Sequence, residues 1–305
     1  VSLLLSLLAM LVLLAAGITA RRVGILEPTR REQLNAFAYY VALPALILSS
    51  TYDQPLSEVL SAELLVGVAG TLLAVAGIAS VVHGRTADPA TRSVATVQSY
   101  HSNLGYLGVP VVARTFGSLA TAKAALILGV AALVQIGLTV TILTTMNDAD
   151  ASLTSELGSM FANPAILSVI VGLAASVAGI TIPTVADTGL EYLGQLALPI
   201  ALLCVGAALT LDADAIPFGT VSAVVVLKLV AMPVIALGAF VLVGADASTV
   251  RAGVVMMAMP SAVSTYVFAS ELGGDRQLAS INVFATTVCS VASLLLVVQV
   301  IRIVV

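Results

Sequence analysis

Long apolar runs separated by short polar breaks dominate the chain, and the runs have the length of membrane spans. A helix needs roughly 20 mainly apolar residues to cross the hydrocarbon core of a bilayer. Reading between charged or Pro/Gly-marked breaks predicts ten such helices, at 2–20, 33–50, 61–82, 93–116, 120–145, 163–180, 187–209, 216–243, 249–271 and 277–303. The longest polar break, Met146 to Ala162, carries Asp148, Asp150 and Glu156 and falls between the fifth span and the sixth. It divides the chain into 1–146 and 163–305, joined by 147–162. Each half contains the same short pattern inside its second span: Ala42, Leu43 and Pro44 in the first, Ala197, Leu198 and Pro199 in the second. Matched prolines in corresponding apolar segments point to internal repeats. Because five crossings per half is an odd number, the second repeat must enter the membrane from the opposite side. The predicted fold class is therefore an all-α membrane protein of ten transmembrane helices in two inverted five-helix repeats, with Pro44 and Pro199 as symmetry-related helix breaks.

Composition supports the membrane reading and closes off other classes. The chain is 60% apolar and 9% charged, whereas soluble domains are about a quarter charged. No basic face exists that could bind nucleic acid. The first apolar run, Val1 to Ala20, lacks a basic stretch before it and carries Arg21 and Arg22 behind it, so it reads as a first transmembrane helix rather than a cleavable signal. A chain opening on Val1 is expected to lack a short leading piece. Cys204 and Cys289 both lie in apolar segments and read as packed small hydrophobes. No His-Glu-x-x-His pattern, Asp-rich cluster or pair of intramembrane acids occurs, so no metal or cofactor is expected, and an intramembrane enzyme is a remote alternative. A channel or sensory domain is a further alternative, but a channel does not need matched interruptions in inverted halves. Lysine and arginine in the loops give an orientation. Arg21, Arg22, Arg30, Arg31, Arg85, Arg92 and Arg276 fall on one side, against Arg114, Lys123, Arg251 and Arg302 on the other. This predicts a multi-pass protein of the plasma membrane with both termini outside the cytoplasm. The bias is weak in the second half, where presumed cytoplasmic loops carry Asp212 and Asp214.

The fourth span of each half is the least regular. The first, from Gln98 to Gly105, is too polar to face lipid; the second carries Pro260 mid-span, followed by Ser261, Ser264 and Thr265. Proline removes a backbone donor and glycine permits a break. Unpaired backbone at that depth is tolerated only inside protein or along a wet cavity. If both spans break and cross, the second halves present helix N-termini to one another, which favours an anion without any charged side chain. The candidate substrate-binding residues are Asn103, Ser102, Gly105, Pro260, Ser261, Ser264 and Thr265, with Gln135 from the fifth span. Gln135 and Asn282 equally serve to bond neighbouring helices. His101 is a candidate proton carrier or a neutral structural histidine. Lys228, deep in span 8, needs a partner or a route to the interface; its role is either structural or a charge balance.

At these residues the chain resembles the auxin efflux carrier family, which includes plant PIN-type carriers and many microbial organic-acid carriers. The pieces that carry the resemblance are Leu34-Asn35 followed by Leu43-Pro44-Ala45-Leu46, the run from Asn103 to Pro110, Asn163-Pro164, Ala258-Met259-Pro260-Ser261, and Tyr266 to Glu271. They occur in order over nearly the whole chain. The resemblance implies a scaffold of spans 1, 2, 6 and 7 and a mobile transport domain of spans 3–5 and 8–10. It also implies a small organic anion as substrate, held beside the crossing of spans 4 and 9, elevator-like alternating access, and a homodimer in the lipid bilayer. Asn103 is the residue it assigns to the substrate carboxylate. One departure is Ser102, where plant carriers have a proline; the first break is then expected to be less sharp, or to rest on Gly105. Sodium/bile-acid symporters share the architecture and place an acid near the ninth-span crossing, where this chain has Met259, Pro260, Ser261 and Ser264. A sodium-coupled symporter of that type is therefore the alternative, and potential-driven efflux of an anion the leading expectation.

Overall fold

Four residues that precede helices, three aspartates and an asparagine, start them in the same way. Asp88 accepts from the Thr91 amide at 2.8 Å, Asn163 from Ala165 at 2.9 Å, Asp246 from Ser248 at 2.9 Å and Asp275 from Leu278 at 2.9 Å. Each cap satisfies an amide that the first helical turn leaves without a partner. Pro89 and Pro164 then occupy the first helical position, where a missing N–H costs nothing. The computed structural model of the chain describes residues 3–208 and 217–305. Asp212 and Asp214, and the ends of the spans expected at 2–20, 187–209 and 216–243, lie outside the described residues.

Among the described residues the chain is helical, with a single isolated backbone bridge and no strands. Six stretches are long and apolar enough to cross a membrane: Pro28–Thr51, Leu56–His83, Leu104–Asn147, Thr184–Ala208, Phe218–Leu242 and Arg276–Val304. The spans expected at 93–116 and 249–271 do not qualify as single helices because each is interrupted. Pro89–Gln98 is separated from Leu104–Phe116, and Ala247–Met257 from Ser264–Glu271. Pro164–Val177 is apolar but short. The connection after Asn147 carries its own helix, Leu153–Met160.

Prolines shape the helices in two ways. Pro44, Pro110 and Pro233 each follow a five-residue π turn, at Ala38–Ala42, Leu104–Gly108 and Leu227–Ala231. A proline ring crowds the carbonyl one turn back and offers no N–H to it; widening that turn relieves both problems without ending the helix. Pro44 is thus a widened turn rather than the break expected from the sequence. Before Pro199 the helix is interrupted at Leu196, between Thr184–Gln195 and Ala197–Ala208.

The chain divides into two compact units. One comprises 1–61, 105–128 and 162–209; the other comprises 62–104, 129–161 and 210–305. In the first, helix Leu3–Arg22 lies against helix Ala197–Ala208 at Gly17 and Gly206. A Cβ on Gly17 would overlap the Leu203 carbonyl, and one on Gly206 would overlap the Leu14 carbonyl. Small residues at such a crossing let two backbones meet, which is how apolar helices gain packing in lipid. In the second unit the fully buried Phe240 ring lies between Gly67 and Gly253, fastening helix Met232–Leu242 to Ala62–His83 and Ala247–Met257. Cys204 is buried, but Cys289, expected to be packed, is exposed.

Candidate functional site

Helix Pro89–Gln98 ends although no proline follows, and helix Ala247–Met257 ends just ahead of Pro260. Both unwound segments belong to the second unit, and each supplies the other's missing partners. Asn103 N–H donates to the Pro260 carbonyl at 2.8 Å, and Ala262 N–H donates to the His101 carbonyl at 3.0 Å. Together they form an antiparallel bridge between Ser102 and Ser261. The break before Asn103 is therefore complete without a proline at 102. The unwound segment at Pro260 to Ala262 holds it. An unpaired buried backbone group costs about 1–3 kcal/mol, so neither segment could stay unwound in apolar surroundings alone.

Side chains lock the crossing from several directions. Ser261 Oγ donates to the Gln98 carbonyl at 2.7 Å, and Ser261 N–H donates to Thr286 Oγ1 at 3.2 Å. The fully buried Gln98 carboxamide donates to Thr265 Oγ1 at 2.9 Å and the Ala279 carbonyl at 3.0 Å, and accepts from Asn282 Nδ2 at 2.9 Å. Gln98 thus ties three helical segments together, and Asn282 bonds a neighbouring helix. Nearby, Thr139 Oγ1 lies 2.9 Å from His101 Nδ1 and 3.1 Å from the Tyr100 hydroxyl. The Phe268 ring is 6.2 Å from the imidazole.

Lys228 is the charged member of the site. It lies on the π turn ahead of Pro233, is fully buried, and donates to Ser102 Oγ at 2.7 Å, the Met257 carbonyl at 3.0 Å and Met232 Sδ at 3.0 Å. Among the described residues no carboxylate pairs with it.

Of the residues expected from the sequence, Ser102, Asn103, Pro260, Ser261, Thr265, His101 and Lys228 come together around this crossing. Asn103 contributes its backbone to the bridge and its carboxamide takes no part in the network; the residue is 5% exposed. Three candidates make none of these hydrogen bonds. Ser264, the first residue of helix Ser264–Glu271, is exposed. Gln135 is buried and its Nε2 has no hydrogen-bond partner among the described residues. Gly105 begins the next stretch of the first unit, where Leu43 and Leu128 lie 3.6 and 3.8 Å from the position of a Cβ. Gln98 and Thr286 were missed as site residues. For Gln98 the signal was present, a long amide in an apolar span; Thr286 gives none. Among the described residues no three His, Cys, Asp or Glu side chains gather to hold a metal ion.

A sequence profile described as membrane transport protein matches residues 2–298. A protein of Rhizobium meliloti (strain 1021) named "Putative malonate transporter" is 28% identical over 269 residues, covering 85% of this chain and 83% of the relative. A protein of Methanothermobacter thermautotrophicus (strain ATCC 29096 / DSM 1053 / JCM 10044 / NBRC 100330 / Delta H) named "Uncharacterized transporter" is 27% identical over 292 residues, covering 94% of each.

Proposed function

Since the chain belongs to the membrane transport protein family, the one named above as auxin efflux carriers, and is an integral multi-pass membrane protein, we propose that it carries small organic anions, dicarboxylates first. The observation that carries this reading is the Ser102–Ser261 bridge. It spends backbone groups on the crossing and leaves the Asn103 carboxamide beside it. It also sets the N-terminal end of helix Ser264–Glu271, with its partial positive charge, directly after the unwound segment. A carboxylate is the ligand such donors suit. The relative named for malonate transport supports an anion of that kind.

In this proposal the ten spans form two inverted repeats, 1–146 and 163–305. The crossing rides on a transport domain that moves against a scaffold in an elevator cycle, and the protein works as a homodimer in the plasma membrane with both termini outside the cytoplasm. An inside-negative potential then favours outward movement of the anion.

The test is malonate counterflow and equilibrium binding with the full chain in proteoliposomes. Asn103→Ala is expected to weaken malonate binding roughly ten- to hundredfold, the worth of a hydrogen bond to a charged group, with folding intact by circular dichroism. Unchanged affinity in a folded variant removes Asn103 from the site. Failure of malonate, malate and lactate alike to bind or exchange in the unsubstituted chain overturns the small-carboxylate reading.

A further inference from the structure

A helix end from one interrupted span and the unwound piece of the other meet at Lys228. Helix Ala247–Met257 closes on Met257, whose carbonyl accepts from the Lys228 Nζ at 3.0 Å. Carbonyls of a last turn lack intrahelical partners and carry the negative end of the helix dipole. Ser102, whose hydroxyl lies 2.7 Å from the same Nζ, is in the unwound piece beyond the C-terminal end of Pro89–Gln98. The Met232 sulfur at 3.0 Å is the third contact. A protonated lysine has three N–H donors and no acceptor, and here it meets one hydroxyl oxygen, one carbonyl oxygen and one thioether, all able to accept. A neutral amine would turn its lone pair toward one of them, and of the three only the Ser102 hydroxyl could donate to it.

We propose that the Lys228 ammonium is a tethered counter-cation of the crossing. It occupies a built cation site between the unwound segment at Ser102 and the helix end at Met257, and does there what a soluble monovalent cation would otherwise have to do. Three observations converge on this role. The group is fully buried, it bridges both interrupted spans, and its partners are oxygen and sulfur acceptors rather than a carboxylate. A lysine present only for packing would have no reason to contact both spans. The consequence is specific: the unsubstituted chain has no use for sodium, potassium or ammonium at the crossing, and a chain lacking the ammonium acquires a need for one. Methylammonium is the probe of choice, since its N–H donors reproduce the missing head group; sodium tests the same acceptors with a bare ion. The role is independent of which anion is carried.

The experiment compares melting temperatures of the purified full chain in choline, sodium and methylammonium chloride at equal ionic strength, with no anionic substrate added. The unsubstituted chain is expected to melt at the same temperature in all three salts. Lys228→Ala is expected to melt lower in choline and to recover progressively as methylammonium rises, the behaviour of a ligand that binds only the folded state. Lys228→Met keeps the volume without the charge, and is expected to stay below the unsubstituted chain in every salt because no cation fits beside the filled site. A Lys228→Met chain as stable as the original overturns the proposal, as does a Lys228→Ala chain indifferent to both cations. Should Lys228→Ala not fold, the unsubstituted chain still decides: a sodium- or methylammonium-dependent rise in its melting temperature overturns the proposal. Malonate exchange, measured separately, tells a failed substrate reading from a failed cation site.

Discussion

Replacing Gln98 by leucine removes one amide and leaves the backbone of the crossing alone, because Ser261 Oγ bonds the Gln98 carbonyl and not its side chain. Three hydrogen bonds disappear: to Thr265 Oγ1, to the Ala279 carbonyl and from Asn282 Nδ2. Bonds between helices inside a bilayer average about 0.6 kcal/mol, so their loss amounts to about 2 kcal/mol. The partners fare differently. Thr265 Oγ1 keeps its bond to the Ala262 carbonyl. Asn282 is left with nothing, since its Oδ1 already has no partner among the described residues. A wholly unsatisfied buried amide adds about 1–3 kcal/mol, which brings Gln98→Leu to about 3–5 kcal/mol. The orphan term is what makes the reasoning testable. Gln98→Leu combined with Asn282→Leu removes the abandoned carboxamide, so the pair should be more stable than the sum of the single changes requires, by at least about 1 kcal/mol. Reversible denaturant titration in mixed micelles, followed by far-ultraviolet circular dichroism, reads all four corners of the cycle. Additive single changes, or a Gln98→Leu protein as stable as the parent, would refute the assignment of Gln98 as the hub.

Two further changes probe the frame around the site. Gly206→Ala puts a methyl group into the Leu14 carbonyl and should cost about 1–3 kcal/mol, whereas Gly70→Ala, with open space around it, should be close to neutral in the same thermal melt. Asp88→Ala removes the cap of the helix that leads into the crossing and should cost about 1 kcal/mol. The Thr91 hydroxyl and then its amide hold the Asp88 carboxyl below its usual range, so this contribution is complete above the unfolded value of about 3.9 and fades as pH falls through the lower folded one. Melts of parent and variant should therefore differ near neutrality and converge only in acid.

Much of the site was legible in the chain because backbone chemistry is written in single residues. Pro260 cannot donate, and a run from Gln98 to Asn103 has no business facing lipid; both breaks fall where those residues stand. The Asp88-Pro89 and Asn163-Pro164 pairs likewise announce their helix starts. What stayed hidden was pairing. Nothing local says that Gln98 will find Asn282, or that Lys228 will find Ser102, because each bond joins distant parts of the chain. Proximity in sequence also misled: Ser264 sits three residues beyond Ser261 yet is exposed, since the chain has re-entered a helix by then. Pro44 and Pro199, alike as text, differ as structure. A π turn absorbs one and a one-residue interruption precedes the other.

The break without a proline carries the wider point. At Ser102 the local sequence would allow a helix to continue, and propensity alone would not stop it. The helix has ended at Gln98 and the chain stays unwound at Ser102 because outside partners offer more than further intrahelical bonds: a carbonyl from Pro260, an amide from Ala262 and an ammonium from Lys228. A conformation held by such partners depends on their staying in place. A proline break would persist if the crossing came apart; this one would be free to rewind. The Lys228 ammonium therefore fastens the segment that positions Asn103, and the stability of the crossing and the affinity for a carboxylate should fall together when that ammonium is lost.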